Sequence, residues 1–170
     1  MAISGAIQEA ANARLVLTAS ATPPKGSDES WAFNVRFRNV GPTDVTLSLG
    51  YHLRDGREYP INVFLILSNA QGLSHELRVR GGDKAPGNMA NDIVGLKAGG
   101  EHSIRLGLEE LDGWQPFSGN GKWTGTLRPG IYHLHAEFRW TKIQSMPAKP
   151  TPEYHEIMNL KSDEISFAVK

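Results

Sequence analysis

The run Trp31-Ala32-Phe33-Asn34-Val35-Arg36-Phe37-Arg38-Asn39-Val40-Gly41-Pro42 decides the fold class. Trp31, Phe33, Val35 and Phe37 alternate with Ala32, Asn34, Arg36 and Arg38, and a period of two gives an extended chain one dry face and one wet face. Gly41-Pro42 then ends the pattern, because glycine turns freely and proline gives no N–H to a ladder.

Working outward, the same grammar recurs. Leu15, Leu17 and Ala19 predict a first strand, stopped by Pro23-Pro24. Val45, Leu47, Leu49 and Tyr51 predict a third after the Gly41-Pro42-Thr43-Asp44 turn, and Arg54-Asp55-Gly56-Arg57 reads as a further turn. The continuously apolar Ile61–Leu67 suits a central strand covered on both sides. After Asn69-Ala70-Gln71-Gly72, His75, Leu77 and Val79 face one way while Glu76, Arg78 and Arg80 face the other, as in a hairpin. His102, Ile104, Leu106 and Leu108 give a sixth strand. Tyr132, Leu134, Ala136, Phe138 and Trp140 give a seventh after Pro129-Gly130, and Ile165, Phe167 and Val169 the last. About eight short strands, punctuated by glycine and proline, predict an all-β antiparallel sandwich or barrel.

Three segments carry a resemblance. Leu96-Lys97-Ala98-Gly99-Gly100-Glu101, followed by Leu108, Leu111 and Leu127-Arg128-Pro129-Gly130-Ile131-Tyr132-His133-Leu134, resembles the "L-x-PG-E … L … L-x-PG-x-Y-x-L" pattern of bacterial immunoglobulin-like domains. Phe37-Arg38-Asn39-Val40-Gly41 is similar to their "F-x-N-x-G" turn. The group includes domains like the intracellular proteinase inhibitor and the accessory domains of secreted metallopeptidases. The resemblance implies an immunoglobulin-like sandwich of Greek-key type with long loops between strands, and carries over no functional residue. Ala98 stands where those domains have proline. In such a corner Tyr132 either hydrogen-bonds back to the corner backbone or is simply a core aromatic.

The chain has 170 residues, with 18 basic balancing 18 acidic ones and no cysteine. One domain over 14–170, preceded by an extension over 1–13, fits that length. Neutrality argues against a nucleic-acid partner, and the missing thiols exclude disulfides and thiolate sites. No apolar run reaches the ~20 residues of a bilayer span, and the start lacks the basic and apolar regions of a signal peptide. The compartment stays open between a secreted or periplasmic address, if a leader was trimmed, and a cytoplasmic one. No cofactor is expected.

Candidate sites are of four kinds. His133, His135 and Glu137 share one face of a strand, spaced about 7 Å apart, and could ligate zinc or iron; the bland reading is a solvated row without the surroundings that hold metal ligands in place. Arg36, Arg38, Arg78, Arg80 and Arg105 would share an outer sheet face in an immunoglobulin-like order and could grip a polyanion, or simply keep that face soluble. Trp114, Phe117 and Trp123, in a Gly- and Asn-rich segment, could form an aromatic platform for a sugar, or plug the end of the sandwich. The acidic groups near Glu109, Glu110 and Asp112 lack the regular spacing of a calcium loop. Finally, counting strand reversals puts Gly81–Gly100 and Thr141–Lys161 at one end, which predicts a partner-binding edge of Met89, Ile93, Met146, Tyr154 and Met158. No G-x-S-x-G, H-E-x-x-H or phosphate-loop motif is present, so catalysis is not expected. The expected function is therefore a noncatalytic binding module with another protein as partner. A carbohydrate or polyanion ligand is the alternative and a metal protein the remote one.

Overall fold

Side chains that alternate about an extended backbone need two sheets to bury their dry faces against each other. The computed structural model describes residues 15–27, 29–54, 57–79, 93–113, 123–139 and 159–170. Its strands are β1 (Leu15–Thr22), β2 (Ala32–Asn39), β3 (Val45–Ser48), β4 (Tyr51–Arg54), β5 (Arg57–Pro60), β6 (Val63–Asn69), β7 (Ser74–Val79), β8 (Ile93–Leu96), β9 (Glu101–Gly107), β10 (Leu111–Gly113), β11 (Gly130–Arg139), β12 (Asn159–Lys161) and β13 (Ile165–Val169). A 3-10 turn, Leu108–Glu110, separates β9 from β10. Every pairing among the described strands is antiparallel, so the class is all-β. No helix among the described residues is long and apolar enough to cross a membrane.

One sheet runs β1-β2-β9, the other β10-β7-β6-β11 with β12 and β13 both on the far side of β11. The ribbons β3-β8 and β4-β5 complete the pairings. The alternation of β2 does what its sequence requires. Phe33, Val35 and Phe37 are fully buried, Arg36 and Arg38 exposed. Leu17 pairs with Phe37 on one side, and Leu106 with Phe33 on the other. The facing sheet contributes Leu65, Leu67, Leu77, Leu134, Ala136 and Phe138 to the same core. Phe37 meets Phe138 edge to face, ring centroids 5.5 Å apart at 88°. Nearer the other end, Phe167 bridges the layers, 4.9 Å from Trp31 and 5.7 Å from Tyr132. Each fully buried aromatic or aliphatic side chain contributes about 1.5–3 kcal/mol, which makes this shared interior the main stabilising term.

The apolar stretch before Asn69 is indeed central, paired with β7 and β11. Its inner residues Val63, Leu65 and Leu67 are buried in the core, while Phe64 on the outer face is covered by the Arg139 guanidinium, 4.7 Å from its ring centre. Coverage on both faces is what an unbroken apolar run needs.

The strand count differs from expectation. The predicted third strand is two, β3 and β4, interrupted at Leu49-Gly50, where Gly50 takes φ 57°. The elements β5, β8, β10 and β12 have three or four residues each and carry too little alternation to read. At the last of these the edge changes strand. β13 pairs with Gly130–Leu134 and β12 with Glu137–Arg139. Buried Ser162 spans the break: the Ala136 N–H donates to its hydroxyl and its own N–H to the Ala136 carbonyl, both at 2.9 Å.

Two side chains fix the turns. Asn39, fully buried, donates to the carbonyls of Thr43, Leu96 and Lys97 at 2.8–3.2 Å and accepts from the Gly41 N–H at 3.0 Å. It ties the β2–β3 turn to the β8–β9 turn. Asp44 reinforces that tie by accepting from the Ala98 N–H at 3.0 Å and the Lys97 ammonium at 2.6 Å. At the opposite end the Tyr132 hydroxyl donates to the Arg128 carbonyl and accepts from the Arg128 N–H, both at 3.1 Å. Tyr132 therefore closes the corner before β11 and is more than a core aromatic. Tyr132→Phe keeps the ring and loses both bonds, so it should lower unfolding free energy by about 1 kcal/mol, read from urea denaturation; an unchanged midpoint would show the corner bonds to be idle.

Candidate functional site

The end of the molecule that carries the β6–β7 turn also receives the segment Trp123–Pro129 on its way into β11, and a cleft lies between them. The turn is held by Asn69, whose side-chain carbonyl accepts from the Gln71 and Leu73 N–H groups at 3.1 and 3.0 Å. Gly72 takes φ 79°, a region open to glycine at no steric cost. Leu67, Ser68, Asn69, Leu73, His75, Trp123, Thr124, Thr126, Arg128 and Tyr132 line a space of ≈ 230 Å³. A second space of ≈ 270 Å³ shares Asn69, Leu73, Arg128 and Tyr132 and extends past Pro129 and exposed Ile131.

The lining comes partly from strands and partly from the Trp123–Pro129 segment. His75 sits opposite Leu67 in the β6–β7 ladder, hence on the inner face, where the sheet end leaves it half-buried. The Trp123 indole meets it at 5.3 Å between ring centres, tilted by 59°, and points its N–H at the Leu111 carbonyl 3.4 Å away. Close approach of Trp123 to β10 depends on Gly113, where an added Cβ would come 3.0 Å from the Trp123 Cβ. Tyr132, by holding the Arg128 backbone, fixes where that guanidinium leaves the chain. Among the described residues, no carboxylate lines either space.

Burial lowers the pKa of His75, as it does that of His102 on the inner face of β9, so both imidazoles are neutral at pH 7. Their unfolded counterparts titrate near 6.5. Below that value the unfolded chain binds more protons than the folded one, so stability must fall as pH falls from about 7 toward 5. The melting temperature should drop across that interval and drop less in a His75→Gln/His102→Gln variant. Parallel pH profiles for the two proteins would contradict this.

The other sequence candidates are dispersed. His133, His135 and Glu137 do lie together on the outer face of β11, but they do not converge. His135 Nε2 is 3.0 Å from one Glu137 oxygen, while the other takes the Arg139 guanidinium, 2.5 Å away at Nη2. His133 turns to the Ser166 hydroxyl at 2.9 Å and Glu164 at 3.5 Å. Nor is the row solvated as expected: the His135 and Glu137 side chains are 13% and 21% exposed, and Arg139 links Glu137 to the nearly buried Glu76 at 2.7 Å. Burial pushes the Glu137 carboxyl up, but the bonds from Arg139 and His135 outweigh it and hold the group below its ordinary value. No group of three potential metal ligands occurs among the described residues.

The arginine set divides. Arg36, Arg38 and Arg105 share the outer face of the β1-β2-β9 sheet, with Arg36 3.7 Å from Glu101. Arg78 belongs to the other sheet, on β7 opposite Asp112, so the expected common face does not form. Strand spacing along a chain does not say which sheet a strand joins. Arg80 lies outside the described residues, as do Trp114, Phe117, Met89, Met146, Tyr154 and Met158. Ile93 opens β8, opposite Ser48. β7 and β11 run on opposite sides of β6, with Leu77 opposite Leu65 and Phe138 opposite Val63, and most of the two long segments that follow them lies outside the described residues. The acidic residues near the 3-10 turn serve the chain itself: Glu110 accepts from the Gly107 N–H at 2.7 Å, and Glu109 accepts from the Ser30 hydroxyl.

Sequence reasoning singled out Trp123 but not its companions. His75 and Arg128 come from distant strands, and only the proximity of Tyr132 to the Pro129-Gly130 corner hinted where Arg128 would be held.

No family model and no curated protein matches the chain. Among solved structures, the X-ray structure of a Northeast Structural Genomics Consortium target, SoR45, aligns over 92% of this chain and 86% of its own, at 11% identity and a TM-score of 0.36. A score of that size assigns no shared topology.

Proposed function

We propose that this chain is a noncatalytic binding module on an immunoglobulin-like β-sandwich, and that its ligand is a sugar ring seated in the end cleft. Two features support the scaffold reading: the three strands β1-β2-β9 share one core with a six-stranded sheet centred on β6 and β11, and Tyr132 closes the corner that such domains use before a central strand. The observation that carries the ligand reading is Trp123, an aromatic ring in the wall of a small space that also presents hydroxyl, amide and guanidinium groups beside Leu67, Leu73, His75 and Tyr132. A pyranose has one C–H-rich face for the ring and hydroxyls for the polar rim. Glycoside hydrolysis takes a pair of carboxyl groups about the bond, and the described residues of the lining supply none. That favours binding over cleavage.

The protein-partner reading rests on Met89, Met146, Tyr154 and Met158, which lie outside the described residues, and no measured contact favours it. A glycan panel read by tryptophan fluorescence tests the proposal. One or more sugars should change the emission of the native chain, and Trp123→Phe, which leaves the other tryptophans in place, should abolish the response. A response that survives the substitution, or none from any sugar at millimolar concentration, would overturn it.

A further inference from the structure

Resting on the sugar-binding reading above, we infer that the cleft selects a carboxylate-bearing pyranose, a sugar of the uronic acid type, with Arg128 as the group that takes the carboxylate. Three observations lead there. First, among the described residues the charge of the cleft is one-sided: Arg128 is exposed, its guanidinium has no ion-pair partner there, and neither lining includes an acidic side chain. An arginine left uncompensated beside a recess presents a planar fork of donors that matches a carboxylate in two parallel bonds.

Second, the backbone that carries the fork is held in place. The Arg128 backbone is clamped on both its N–H and its carbonyl by the Tyr132 hydroxyl, and Pro129 follows with its fixed φ. A long side chain on a pinned backbone loses less freedom on binding than one on a loose turn. Arg128 also lines both spaces, so a ring over Trp123 in the first would carry its acidic substituent toward the shared wall.

Third, the remaining polar groups suit hydroxyls and not a second charge. The Asn69 side-chain carbonyl is already used twice within its turn, which leaves its NH₂ as donor. The Thr124 and Thr126 hydroxyls lie 3.1 Å apart and can pass a hydrogen bond on to a ligand. At ≈ 230 and ≈ 270 Å³ the two spaces each fall below the ~300–1,000 Å³ of drug-sized pockets, which matches one ring and its substituent.

Isothermal titration with methyl β-glucuronide and methyl β-glucoside, each against the native chain and Arg128→Gln, separates the claims. The glucuronide should bind at least ~10-fold more tightly than the glucoside, equivalent to about 1.4 kcal/mol. Arg128→Gln should remove that advantage, the glucuronide losing at least ~10-fold more affinity than the glucoside, while raising salt should weaken only the glucuronide. Equal binding of both sugars, unaffected by Arg128→Gln, would overturn the acidic-sugar inference and leave the cleft as a neutral sugar site. Binding of neither would overturn the sugar reading as well. Circular dichroism of Arg128→Gln confirms that a lost response is not lost folding, since the substituted side chain is exposed.

Discussion

Phe37→Ala should lower the unfolding free energy by about 3–5 kcal/mol, the range for truncating a buried aromatic. Phe37 is fully buried, and its ring stands edge-on to Phe138 across the gap between the sheets, so truncation opens a void bounded by both layers. Phe138→Ala should cost a similar amount. Because each single change already forfeits the ring pair, the double variant should cost less than the two singles added, by about 0.5–1.5 kcal/mol. Urea denaturation of the four proteins checks this. Strict additivity would mean that Phe37 and Phe138 do not touch, and that the two sheets do not share one interior.

The second large effect belongs to Asn39→Ala. This fully buried amide bonds three carbonyls and one N–H in two separate turns, and alanine strips that partner from each, although the Lys97 carbonyl still accepts from the Gly100 N–H. A loss of about 2–3 kcal/mol follows from the desolvation of unsatisfied groups. The same change should speed hydrogen exchange at the Asn39, Gly99 and Gly100 amides, which bond within the joined turns. A drop in stability without local exchange would argue that the amide is a filler and not a tie.

These residues also mark how far the sequence could be read. The alternations of β2 and β11 were legible because each strand has one dry face over eight and ten residues, long enough for a period of two to stand out. The Pro129-Gly130-Ile131-Tyr132 corner was legible as a local motif whose bond spans only four residues. The half-buried place of His102 was legible from its register alone. What could not be read were facts that depend on partners. Three-residue strands such as Leu111–Gly113 and Asn159–Lys161 exist because a neighbour offers a ladder, and their own composition does not demand extension. The separation of Arg78 from Arg36 reflects the partition of strands between sheets. The half-buried His135–Glu137–Arg139–Glu76 chain joins β11 to β7 across β6, a meeting that spacing along either strand does not announce. The cleft is of the same kind: His75 on β7 meets Trp123 and Arg128 only once the segment leading into β11 folds back over the end of the sheet.

The central claim is that ligand recognition resides at the end carrying the Asn69–Leu73 turn and the Trp123–Tyr132 corner. Amide chemical-shift mapping of the labelled chain during titration with methyl β-glucuronide tests it most directly. The account predicts saturable shifts concentrated at Asn69–Leu73, His75, Trp123 and Arg128–Tyr132. Shifts confined to Gly81–Gly100 and Thr141–Lys161, or none at saturating sugar, would contradict it.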